Sequence, residues 1–184
     1  DDYHFQLDKL FEEIKLNGNM IIDIGASIGE FSIFFSKKND ESKILSVEAS
    51  KSIFSVLCRN ISLNKISNIM TLNKVVCEES RLKFKILDKG DQSYPERIYA
   101  NDQEKEFIES ISLDDLIKDY NIDKIDLLKI DIEQSNNLLI EDVIKNCDKI
   151  NFIFYECSKS NPDRFIKLID GLKDKFEFSI YNNN

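Results

Sequence analysis

The sequence predicts an α/β fold, a mostly parallel central sheet with helices on both faces. Three observations carry that expectation. Short apolar runs such as Met20–Ile24 and Ile125–Ile130 have the look of strands buried on both sides. Stretches of helical period alternate with them over short connections, the pattern of strands joined by crossover helices. The chain has 184 residues, close to the roughly 150 expected of one domain, and shows no linker or internal repeat. Residues 1–184 are therefore read as a single domain.

Taken in order, Tyr3–Leu16 reads as a helix, because Leu7, Leu10, Phe11 and Ile14 recur at helical spacing and Gly18 closes it. Met20–Ile24 is the first strand, and the turn Gly25–Gly29 leads into a helix over Glu30–Lys37. Lys43–Val47 is the second strand, Ser50 caps a helix to Leu63, and Ile69–Val76 is the third strand. Arg81–Leu87 alternates polar and apolar residues, as a half-exposed strand does. Gly90–Asp102, with Gly90 and Pro95, reads as a loop, and Phe107–Ile111 as a strand returning antiparallel. A small antiparallel insertion near residues 81–111 follows. Ser112 caps a helix over Leu113–Tyr120, Ile125–Ile130 is the fourth core strand, and Asn136–Lys145 a helix. Asn151–Tyr155 is the fifth strand, Asn161-Pro162 opens a helix to Lys173, and Phe176–Tyr181 is a last strand.

Composition removes several classes of function. The net charge of −9 counts against a surface that tracks phosphates, so no nucleic-acid partner is expected. No apolar run approaches the roughly 18 residues of a membrane span, and no membrane partner is expected either. Cys58, Cys77, Cys147 and Cys157 form no C-x-x-C pair, and His4 is the single histidine, so no metal site is indicated. Four unpaired thiols suit a reducing, cytoplasmic compartment. The chain opens on Asp1 without an initiator Met and is expected to be a piece of a longer protein. Neither a G-x-S-x-G elbow, a phosphate-binding G-x-x-x-x-G-K-[ST] loop nor a [DNS]-P-P-[YF] tetrapeptide occurs.

Ligands of such folds sit at the carboxyl ends of the strands, where strand order reverses. After the first strand, Gly25 lets the chain turn sharply and Gly29 lets the next helix pack closely. Ser27 stands where a dinucleotide fingerprint has its second glycine, which weighs against NAD. After the second strand, Glu48 is placed to accept both hydroxyls of a ribose lying over the Gly25 turn. After the third comes Val75-Val76-Cys77-Glu78, at a place in the sheet that would flank an adenine ring. Lys129, in a buried strand, needs a carboxylate partner among Asp23, Asp131 and Glu156. Asp131 and Glu133 follow that strand at the central cleft; a structural ion-pair cluster is the competing reading of these acids.

Five stretches together resemble a known family: Ile22–Ser32, Ser46–Ala49, Ile61–Asn64, Ser112–Ile117 and Asp126–Glu133. They resemble the FkbM family of class I S-adenosylmethionine-dependent methyltransferases, in order from about Ile21 to Glu156. The resemblance implies a Rossmann-like class I methyltransferase fold with seven strands. It implies S-adenosylmethionine lying across the Gly25 turn, with Glu48 on the ribose, Val76 near the adenine and Asp131 near the methionine end. The candidate cofactor-binding residues are accordingly Asp23, Gly25, Ala26, Ser27, Gly29, Glu48, Ala49, Val76 and Asp131; the candidate catalytic residues are Asp131 and Glu133. O-methylation of a small molecule or glycan is implied. Three positions depart from the family: Ser27 for Asn, Ala49 for Pro, and Gln134 for Gly. Two other readings stay open, a cofactor-binding or interaction module without catalysis, and a dinucleotide-dependent oxidoreductase. The sequence leaves oligomeric state undetermined.

Overall fold

The structure, a computed structural model, describes residues 2–89, 92–99, 106–132, 139–156 and 162–179. The chain runs α1 (Asp2–Glu13), β1 (Met20–Ile24), α2 (Glu30–Lys38), β2 (Lys43–Val47), α3 (Lys51–Leu63), β3 (Ile69–Leu72) and β4 (Val75–Val76). It continues through β5 (Lys83–Lys89), β6 (Gln92–Arg97), β7 (Ile108–Ile111), α4 (Leu113–Asp119) and β8 (Ile125–Ile130). It then forms α5 (Ile140–Asn146), β9 (Ile150–Tyr155) and α6 (Pro162–Leu172).

The main sheet has the order β3-β2-β1-β8-β9, and every pairing in it is parallel. The chain enters at the centre, works outward to β3, and returns to the other side of β1 with β8. The strand ends of β1, β2 and β8 are thereby brought level: Ile24 pairs with both Val47 and Ile130. This is the place where strand order reverses and a crevice opens.

All six residues of β8 are buried, as are the last four of β1 and of β2. Alternate residues feed opposite cores, as the two-residue strand period demands. Ile21, Ile44 and Leu127 pack with Leu7, Leu10, Phe31 and Phe35 of α1 and α2. Ile22, Leu45 and Leu128 pack with Leu113 and Leu116 of α4, Val143 of α5, and Leu168 and Leu172 of α6. Two buried faces explain why these strands read as unbroken apolar runs.

Three elements differ from the sequence expectation. The third strand breaks after Leu72, where the Asn73 amide donates to the Glu48 and Ala49 carbonyls at 2.7 and 3.0 Å. Val75 and Val76 then join a second sheet of order β4-β7-β5-β6, in which β5 is antiparallel to both neighbours and β4 parallel to β7. Gln92–Arg97, expected within a loop, is the edge strand β6. Pro95 is tolerated there because, among the described residues, β6 pairs on one side only, with β5. Phe176–Ser179 forms no strand: the Phe176 N–H is spent on the Leu172 carbonyl at the end of α6. The main sheet therefore has five strands among the described residues, not the seven that the resemblance implies. The first part of the expected helix from Asn136, and Tyr181, lie outside the described residues.

One buried carboxylate ties the entry of the sheet together. Asp126 Oδ2 accepts the Asn17 and Asn19 N–H groups at 2.7 and 2.9 Å, and Oδ1 accepts the Asn19 and Asn151 amides at 2.9 Å each. It thus joins the α1–β1 connection to β8 and β9. Burial pushes the Asp126 carboxyl up, but the donors of Asn19, Asn17 and Asn151 outweigh it and hold it below the ordinary carboxylate range. Asp126→Ala, which orphans these donors, is expected to cost about 2–4 kcal/mol in urea unfolding. The contribution has a defined pH sense. A depressed folded pKa gives stability that is complete above the unfolded value of ~3.9 and is lost as pH falls through the folded value. A wild-type advantage over the variant that does not shrink on acidification would contradict this role.

Candidate functional site

The turn after β1 is built from left-handed residues. Gly25, Ser27 and Gly29 have φ of 78°, 49° and 96°. Gly25 admits no side chain, since a Cβ there would stand 1.8 Å from the Asp131 carbonyl oxygen. The β1 turn and the segment after β8 are in backbone contact, fixed by the Asp131 N–H on the Ile24 carbonyl at 3.0 Å. At Gly29 a Cβ would meet Leu57 of α3 at 2.7 Å. Both glycines are where the chain needs them. Ser27 holds a conformation that costs a non-glycine residue free energy and that Asn adopts more readily. The Gly25 and Ala26 N–H groups both donate to the Val47 carbonyl at 3.0 Å, which keeps the turn over the end of β2.

Glu48 follows β2 and is 8% exposed. Its Oε2 accepts the Ser27 N–H at 2.9 Å and its Oε1 the Ser50 N–H at 2.7 Å. The carboxylate therefore bridges the glycine turn and the start of α3. Ser50 sits at the N-cap position expected, yet its hydroxyl pairs with the Ser52 hydroxyl at 2.9 Å and makes no capping bond. Burial pushes the Glu48 carboxyl up. The N–H groups of Ser50 and Ser27 pull it back, the Asp23 charge raises it and the Lys129 charge lowers it, and the balance stays above the ordinary value.

Lys129 and its acids form the other wall. Lys129 is 3% exposed. Its Nζ donates to the Gly25 carbonyl at 2.9 Å and lies 3.2 Å from both Asp23 Oδ1 and Asp131 Oδ2. Two of the three acids named for it from the sequence are thus its partners; Glu156 is exposed, its N–H on the Ile130 carbonyl. Asp23 has no exposed surface. Its Oδ2 accepts the Ser32 hydroxyl at 2.6 Å, while Oδ1 makes no directed hydrogen bond and is balanced by the Lys129 charge. Asp23 is thus held between Lys129 and Ser32 beneath the turn. The Asp131 side chain is 30% exposed.

The turn Gly25–Gly29, Glu48 and Asp131 are brought together at one crevice. Ala26 is buried against Leu57 and Ile61, and Ala49 packs at the edge of a cluster of Val75, Cys77 and Phe84. Val76 is buried in the second sheet. Glu133 and Gln134 lie outside the described residues. The sequence reading missed Asn73, whose amide clamps the Glu48–Ala49 backbone; an Asn interrupting an apolar strand was the available signal. A second cleft of about 1030 Å³ opens beyond Ala49, with Ser50, Lys51, Asn73, Phe107 and Glu109 in its walls. Neither the glycine turn nor the acid cluster lies in its walls. Among the described residues no group of His, Cys, Asp and Glu could hold a metal ion, and no helix is long and apolar enough to cross a membrane.

A parallel sheet of this order, with a glycine turn after its first strand and an acid after its second, defines a Rossmann-like fold. The methyltransferase FkbM domain model matches residues 23–178, and the chain belongs to that family. The methyltransferase sdnD of Sordaria araneosa is 26% identical over 160 residues, covering 68% of this chain and 61% of that protein. The chain thus spans about three fifths of the length of that curated relative. An rRNA methylase from Streptococcus thermophilus superposes with a TM-score of 0.54 at 11% identity, covering 92% of this chain and 79% of that one. A precorrin-6y C5,15-methyltransferase from Geobacter metallireducens gives 0.54 at 14% identity, covering 91% and 68%. These two likenesses show the fold.

The buried state of Glu48 has a consequence for stability. A carboxyl raised in the folded state binds more protons there than when unfolded. Its contribution is complete below the unfolded value of ~4.3 and is lost as pH rises through the folded value. Glu48→Gln, which does not titrate, is expected to gain stability relative to wild type as pH rises across that window. Unfolding curves of both proteins from pH 4 to 8 check this; a difference that does not change with pH would contradict it.

Proposed function

We propose that this domain is the catalytic part of an S-adenosylmethionine-dependent methyltransferase that methylates a hydroxyl on a small molecule or glycan. The observation that carries the reading is Glu48. Each of its oxygens accepts one backbone N–H, which leaves each a lone pair for one hydroxyl of a ribose. The residues present fit the cofactor in two further respects. The Gly25 turn lets backbone approach a ligand closely, and Asp23, Lys129 and Asp131 sum to one negative charge, favourable to a cation.

When bound, S-adenosylmethionine supplies an activated methyl group on a sulfonium. The protein's task is then to hold donor and acceptor in line and to remove the acceptor proton. Gly25, Ala26, Ser27 and Gly29 form the bed, Glu48 holds the ribose, and Ala49 and Val76 border the adenine. Asp131 stands at the methionine end, where one carboxylate oxygen stays on Lys129 and the other is free to take a proton from the acceptor. Such help is worth roughly 10²–10⁴-fold. Glu133 is the second candidate for that step. The acceptor is reached without a nucleic-acid or membrane partner, a reading supported by the net charge of −9. The free thiols of Cys58, Cys77 and Cys147 support a reducing, cytoplasmic setting.

Thermal-shift titrations with S-adenosylmethionine, S-adenosylhomocysteine and NAD test the reading. A ligand at 100 times its dissociation constant adds about 2.7 kcal/mol, a rise of roughly 5–11 °C for a domain of this size. The expected result is a rise with both adenosyl-sulfur ligands and none with NAD. Glu48→Ala is expected to weaken S-adenosylhomocysteine binding by about 1–3 kcal/mol in calorimetry. No rise with any ligand would favour an interaction module, and a rise with NAD alone an oxidoreductase.

A further inference from the structure

Lys129 is a charge set in a strand whose six residues are all buried. Such a charge persists only where its partners are rigidly supplied. Its Nζ lies within 3.2 Å of the Gly25 carbonyl, Asp23 and Asp131, and 5.7 Å from the centre of the Phe31 ring. Asp23 is itself anchored by the Ser32 hydroxyl at 2.6 Å, which stands 2.6 Å from the Ser46 hydroxyl. A chain of fixed polar groups therefore runs from β2 through α2 and β1 to β8 and ends at Asp131. Asp131 is the member of that chain with substantial exposure at the crevice.

We propose that Lys129 is a positioning residue for the amino-acid end of the bound cofactor, which it does not touch. This rests on the cofactor reading above. By engaging the Gly25 carbonyl and one oxygen of Asp131, Lys129 removes both from competition and fixes the Asp131 carboxylate beside the amino-acid end of the ligand. By standing between Asp23 and Asp131 it also screens the two acids from each other. Asp131 is then held in the orientation that a cation requires.

The test separates the two ends of the ligand. S-adenosylhomocysteine carries the amino-acid end; 5′-methylthioadenosine has the same adenosine and lacks it. The double variant Asp23→Asn/Lys129→Met removes both buried charges together, so neither is orphaned. Calorimetry is expected to show S-adenosylhomocysteine binding at least tenfold weaker and 5′-methylthioadenosine binding within about twofold of wild type. Equal losses for both ligands, as a merely structural role would give, overturn the proposal, and so does no loss for either. If the double variant fails to fold, Ser32→Ala loosens Asp23 more gently. It is expected to show the same selective loss, at about threefold, and an unselective effect overturns the proposal equally. Wild-type protein that binds neither ligand would overturn the cofactor reading itself. Wild-type protein that binds both, with a ratio unchanged in the variants, would overturn only the role of Lys129.

Discussion

Lys129 puts an ammonium group at the meeting point of β1, the turn after it and the end of β8, in a part of the sheet with almost no access to water. Removing either it or Asp23 alone would strand an opposite charge in the core, so the two sides of the reversal point are bound to each other electrostatically. The Asp131 N–H on the Ile24 carbonyl and the side-chain-free approach at Gly25 complete the same junction. The β1 turn and the segment after β8 are held together by this junction, which sets the positions of Gly25 and Asp131.

Glu48 does the corresponding work on the other side. Its carboxylate holds the glycine turn through Ser27 and the first residue of the α3 cap through Ser50, while Asn73 clamps the backbone behind it. These three contacts fix the carboxylate in place from the turn, the helix start and the backbone. The burial that makes this possible raises the carboxyl's affinity for protons.

Much of this was legible in the residues. The double-faced burial of β1, β2 and β8 shows as unbroken apolar runs, and the glycines at 25 and 29 are required by positive φ. A lysine in such a run could be assigned acidic partners from physics alone, and Asp23 and Asp131 are those partners. Where reading failed, two local signals competed. Pro95 argued against a strand but is compatible with an edge, which only the pairing reveals. Val75 and Val76 continue the apolar run of β3, yet a tertiary contact at Asn73 diverts them to another sheet. Phe176–Ser179 has strand-like composition, but its first N–H is drawn into the helix end. That Asp23 lies wholly beneath the site could not be read from a motif that places it beside the turn.

The most direct measurement is a crystal structure of the protein with S-adenosylhomocysteine. The account requires the ribose hydroxyls on the Glu48 carboxylate, the adenosine across the Gly25 turn, and the amino-acid end beside Asp131. Ligand density in the cleft beyond Ala49, or a ligand whose ribose makes no contact with Glu48, would contradict it.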